Sequence, residues 1–100
     1  MLNSRQRAQL RALANPLDTI LQVGKDGISD NTIKSVADAL KKREIIKCRV
    51  LENSGLTAAE AANQLAQATL AEVVQTIGSR FVLYKENREI EKDKRIRLVK

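Results

Sequence analysis

Between Leu17 and Leu51 the chain reads as strand, turn, helix and strand, and that order leaves few folds open. Leu17 to Val23 is an apolar run of strand type. Ser29 is placed to cap a helix whose first turn holds Asp30. Ile33, Val36, Ala37 and Leu40 then repeat at the i, i+3, i+4, i+7 spacing of a buried helix face. From Glu44 to Leu51, Ile46, Cys48 and Val50 alternate with Lys47 and Arg49, the period of a half-buried strand. Strand, helix and strand over this length predict a parallel pair joined by a right-handed crossover.

The turn inside this unit is Gly24-Lys25-Asp26-Gly27. Glycine removes the Cβ atoms that hold a phosphate–sugar chain away from the backbone. The helix that follows offers unpaired N–H groups and a partial positive charge at its start. Lys25 adds a full charge at the tip. Loops of the GXXG kind clamp single-stranded RNA in this way. Glycine at a strand–helix junction also serves turn geometry alone, so the motif takes its meaning from the rest of the chain.

The charge distribution favours an acidic partner. The formal net charge is +6 over 100 residues, enough chain for one small domain, 1–100. From Glu52 to Ser79 there is no Lys or Arg but there are three acids, Glu52, Glu60 and Glu72. That segment carries −3, which leaves +9 on the remainder. Such asymmetry points to nucleic acid ahead of a membrane surface. No apolar run is long enough to span a bilayer, and the first residues lack the apolar centre of a secretory signal. Cys48 is the single cysteine, so no intrachain disulfide forms, as in a reducing cytoplasm. The chain has no His, which removes a His-assisted nucleophile and, with one Cys, a soft zinc site. No carboxylate pair stands out. The expectation is a cytoplasmic protein that is not an enzyme and uses no metal or cofactor.

Asn3 and Gln6 have the spacing of a capping box, with Ser4 as an alternative cap, for a helix running to about Ala14. Its apolar side is Leu10, Leu13 and Ala14; Arg7 and Arg11 flank that stripe, and Arg5 stands in the first turn. Thr57-Ala58-Ala59-Glu60 opens an Ala-rich helix to about Ala68. Thr69-Leu70-Ala71-Glu72 reads as a second helix start, with Gly78 after Ile77 as its stop, so the segment is either two short helices or one with a break near Thr69. The third strand is Arg80 to Lys85, Lys85 to Lys94 is a mobile charged connection, and Arg95 to Val99 is the final strand.

These stretches together resemble the CRM domain, the chloroplast RNA splicing and ribosome maturation module, in its stand-alone bacterial YhbY-like form. The carriers are Leu2-Asn3-Ser4-Arg5-Gln6-Arg7 with Leu10-Arg11-Ala12, Gln22 to Ile28, Arg43 to Val50, and Val74 to Lys85. Asn3 stands where the family has Thr, and Lys85 where Arg is usual; both keep the chemistry. The resemblance implies a single compact α/β domain of order α-β-α-β-α-β-β. Its mixed four-stranded sheet packs with helices, similar to the C-terminal domain of translation initiation factor three. It also implies a monomeric RNA-binding protein that associates with precursor large ribosomal subunits and assists their maturation, with ribosomal RNA and ribosomal proteins as partners.

Only Phe81 and Tyr84 are aromatic. Three positions apart on one strand, they point to opposite faces, so no base-stacking platform is expected. Binding then rests on phosphate and sugar contacts. The candidate residues are Gly24, Lys25, Asp26 and Gly27 with Arg5, Arg7, Arg11, Lys34, Lys47 and Arg49, read as one continuous basic surface. The alternative is an adapter that docks a ribosomal protein or assembly factor through the cation-free helical segment 57–77.

Overall fold

Each helix starts at a side chain that bonds back to the backbone. In α1 (Ser4–Ala14) the Gln6 N–H donates to Asn3 Oδ1 at 2.8 Å and the Asn3 N–H to Gln6 Oε1 at 3.0 Å. Ser29 and Thr32 make the reciprocal pair for α2 (Asp30–Arg43), and Thr57 and Glu60 for α3 (Ala58–Thr69). All three starts fall where the sequence puts them. This computed structural model describes residues 2–87, 89–90 and 95–99.

The strands are β1 (Thr19–Val23), β2 (Ile45–Val50), β3 (Glu72–Ile77) and β4 (Arg80–Tyr84), in the sheet order β1-β2-β4-β3. β1 and β2 run parallel with α2 between them in the chain; β2–β4 and β4–β3 are antiparallel. The sheet separates two apolar layers because its side chains alternate. Ile46, Cys48, Val50, Phe81 and Leu83 face α2 and α3, packing with Val36, Leu40 and Leu65. Ile45, Val82, Val74 and Tyr84 face α1 and pack with Leu10 and Ala14. Phe81 and Tyr84 therefore divide between the faces as their spacing predicts. Cys48 is 0 % exposed, and burial pushes its thiol up to about 12. The result is a single α/β domain of order α-β-α-β-α-β-β with a mixed four-stranded sheet.

Two elements differ from their sequence reading. The expected helix from Thr69 is the strand β3. Thr69 Oγ1 donates back to Leu65 O at 2.7 Å and caps nothing. Leu70 takes φ 60° and the Ala71 N–H returns to Ala66 O at 2.9 Å, which closes α3. Val73, Val74, Thr76 and Ile77 are β-branched, and their χ1 stiffness suits a strand. Gly78, at φ 57°, begins a two-residue hairpin turn with Ser79 and is not a helix stop.

The expected last strand, Arg95 to Val99, forms no strand. Its backbone lies along α1, where Gln9 accepts from the Val99 N–H and donates to Arg97 O, and Gln6 donates to Val99 O. The element order therefore holds with β3 in place of that strand. Smaller shifts follow from local bonds. The Leu17 N–H donates to Ala14 O, so β1 begins at Thr19, not Leu17. Glu44, at φ 60°, caps α2 and stays outside β2.

The Glu44 carboxylate is buried and accepts the Asn87 N–H on Oε2 and the Ile96 N–H on Oε1, both at 2.8 Å. Its carbonyl accepts the Lys85 N–H at 2.8 Å. Asn87 also donates through Nδ2 to Lys41 O at 2.6 Å. The start of the connection expected to be mobile is thus fastened; Lys92 and Lys94 lie outside the described residues. Burial, with the Glu44 and Glu86 carboxylates adding to it against Arg95, pushes the Tyr84 hydroxyl up to about 12.

Candidate nucleic-acid interface

The Gly27 N–H donates to Gly24 O at 2.9 Å, closing a four-residue turn with Lys25 and Asp26 exposed at its tip. Neither Lys25 nor Asp26 takes a positive φ, and Gly27 has φ 64°, so the turn ends on a left-handed residue. Thr32 Oγ1 donates to Gly27 O at 3.3 Å, and the Leu51 N–H to Val23 O at 2.9 Å, so both ends of the turn are held.

The two glycines have different reasons to be there. Gly27 needs its positive φ. Gly24 does not adopt one, and a Cβ at Gly24 would meet Leu51 Cδ1 at 3.6 Å, ordinary van der Waals contact. The fold has room for a side chain at Gly24.

The basic candidates fall into separate groups. α1 covers the end of the sheet that holds Ile45, Val82, Tyr84 and Val74. The Gly24–Gly27 turn extends from the other end, beyond Val23 and its partner Val50. Arg5 and Arg11 are exposed on α1. Arg7 is half-buried and donates from Nη1 to Val73 O on β3. Lys47 is half-buried and donates from Nζ to Asn15 O at 3.2 Å. Lys34 is exposed on α2, across the sheet from α1. The ten candidates therefore do not form one face: α1 packs over the sheet, away from the turn, and its arginines and Lys34 belong to opposite layers.

Arg49 alone of the helix and strand candidates on the α1 face stands beside the turn. It pairs with Gln22 of β1, two residues before Gly24, and with Arg80 of β4. Arg80 in turn pairs with Ile77 of β3. Gln22, Arg49, Arg80 and Ile77 thus form one row across all four strands, and all four are exposed. Sequence reading missed Arg80, because its neighbour across the sheet depends on the register of two strands. The segment 57–77 is helical only to Thr69, which removes the all-helical docking surface considered above. Among the described residues no group of three or more His, Cys, Asp or Glu could hold a metal ion, and no helix is long and apolar enough to cross a membrane.

An α/β domain with helices on both faces of its sheet and an exposed Lys25-Asp26 tip on a Gly-Lys-Asp-Gly turn between a strand and a capped helix is the class that these elements define. Residues 2–85 match the CRS1/YhbY (CRM) domain, and the chain belongs to that family. It is 45 % identical over 89 residues to the Bacillus subtilis protein named "probable RNA-binding protein YqeI", covering 89 % of this chain and 93 % of that one. It is 31 % identical over 88 residues to a Haemophilus influenzae protein named "RNA-binding protein", covering 88 % and 89 %. The solution structure of the Staphylococcus aureus protein SAV1595 matches with a TM-score of 0.69 and 44 % identity, over 91 % of this chain and 98 % of that one.

Proposed function

We propose that this protein binds RNA with the Gly24–Gly27 turn as its primary contact, and that its target is ribosomal RNA in precursors of the large subunit, whose maturation it assists. The observation that carries the reading is Gly24, a bare backbone position that the fold itself does not require, next to the exposed charge of Lys25. Gly24 lets a phosphate–sugar chain approach closely, and Lys25 neutralises it. The start of α2, five residues past Lys25, adds its partial positive charge. The names of the relatives support RNA as the ligand. Both aromatic side chains are buried, so contacts to backbone and shape outweigh base stacking.

The test is binding of a labelled stem-loop RNA by the wild type and by Lys25→Asp. Neutralising about five phosphates gives a log–log salt slope near −3.5 on single-stranded segments. Lys25→Asp should keep its melting temperature and lose about 1–3 kcal/mol of affinity. Wild-type affinity in a folded Lys25→Asp protein would reduce the turn to plain geometry. For the cellular target, tagged protein should sediment with precursor large subunits and leave them on nuclease treatment. Retention after nuclease would favour a protein partner.

A further inference from the structure

On an open end of the sheet, Arg49 and Arg80 are direct antiparallel partners. Their Cα atoms are then about 4.5–5.5 Å apart. Cys48 and Phe81, the preceding pair in register, both face α2 and α3, so Arg49 and Arg80 both project to the other side. Like charges directly opposite on a sheet work against folding. Nothing in the row offsets them: its other members are Gln22 and Ile77, and neither guanidinium has a hydrogen-bond or ion-pair partner among the described residues. The next pair on the same face, Lys47 with Val82, differs, because Lys47 is already tied to Asn15 O and Val82 is buried under α1. Ile77 at the end of the row is 63 % exposed, an apolar contact with no use in the core.

Resting on the RNA-binding reading above, we propose that Arg49 and Arg80 together clamp one RNA phosphodiester on a path that leaves the Gly24–Gly27 turn and crosses the four strands. An anion between two adjacent guanidiniums turns their repulsion into two charge-assisted contacts. Gln22 supplies a donor and an acceptor toward the ribose or base edge on the side of the turn. Ile77 supplies the apolar contact where the strand leaves the sheet. The row crosses three strand spacings, about 14 Å, and so continues the turn's site for more than one nucleotide.

The experiment is a double-mutant cycle with Arg49→Gln and Arg80→Gln, read by binding of a labelled stem-loop RNA and by thermal melting. Each single variant should keep or raise the melting temperature, because a like-charge pair is gone. Each should weaken binding roughly tenfold. The double variant should lose much less than the product of the two, since one phosphate is shared, and should flatten the salt slope by about 0.7. Lys42→Gln, on α2, should bind as the wild type does. Wild-type affinity in the double variant overturns the clamp, and multiplicative losses overturn the shared phosphate. If Lys25→Asp loses binding while the double variant keeps it, the clamp falls and the turn stands. If the wild type binds no RNA, both fall.

Discussion

Gly24→Ala separates what the fold needs from what the ligand needs. The added Cβ has one neighbour of note, Leu51 Cδ1 at 3.6 Å, and the backbone there is not left-handed. Replacing Gly by Ala at a compatible position stabilises by about 0.4–1 kcal/mol, chiefly by restricting the unfolded chain. In a domain of this size that raises the melting temperature by about 2–8 °C. In the proposed complex a phosphate reaches this backbone, and the same methyl, seated beside Leu51 and Asn53, would crowd it. Losing one charge-assisted backbone contact costs about 1.5–3 kcal/mol, at least about tenfold in affinity. Gly27→Ala is the internal contrast: φ 64° there makes a side chain cost about 1–2 kcal/mol of stability. The assays are differential scanning fluorimetry and RNA-binding anisotropy on the same preparations. A melting temperature in Gly24→Ala lowered as far as in Gly27→Ala, or unchanged RNA affinity, would refute the argument.

Glu44→Gln replaces two carboxylate acceptors, each 2.8 Å from a backbone N–H, with one neutral acceptor and one donor. It should cost about 2–4 kcal/mol and lower the melting temperature by roughly 10–20 °C, with faster amide exchange at Asn87 and Ile96; a loss under about 3 °C would show that the carboxylate is not the anchor. Cys48 ionises at 9.0 in an exposed setting and at about 12 in the fold. Folding thus favours the protonated thiol: this stabilisation is complete below pH 9 and fades as pH rises toward 12, by up to about 4 kcal/mol. Denaturant melts from pH 7 to 11 should show that decline, smaller in Cys48→Ala, and native Cys48 should react slowly with a thiol reagent; rapid labelling would contradict its burial. Charge reversal at Arg7 should lower the melting temperature, because its guanidinium holds Val73 O, whereas reversal at Arg11, exposed in the last turn of α1, should lower it less, through the helix dipole alone. Equal melting temperatures would remove the structural role given to Arg7.

The parts of the fold that could be read from the sequence are those written in local signals. Asn3, Ser29 and Thr57 cap their helices through side chains within three residues, and the alternation of Ile46, Cys48 and Val50 fixes which face β2 buries. β3 is disguised because Thr69 and Glu72 mimic a capping box, while the four β-branched residues that oppose a helix lie further on. The segment 95–99 alternates like a strand yet meets glutamine side chains of α1, a pairing that no local pattern encodes. In the candidate site, Lys25 and its glycines were legible because the motif is contiguous. Arg80 was not, because it joins Arg49 through strand register alone. The split of Lys34 from the α1 arginines depends likewise on which side of the sheet each helix packs.

The glutamine clasp on α1 has an architectural consequence. Gln6 and Val99 touch, so the first helix and the last described segment meet on one side, while the short 3-10 turn Glu52–Ser54, with Asn53 and Gly55 exposed, interrupts no sheet bond. A circular permutant with residues near 2 and 99 joined by a short linker, and opened at Ser54, keeps every strand pairing intact. The same proximity lets copies of the domain be strung in tandem without straining any of them, each with its turn left free.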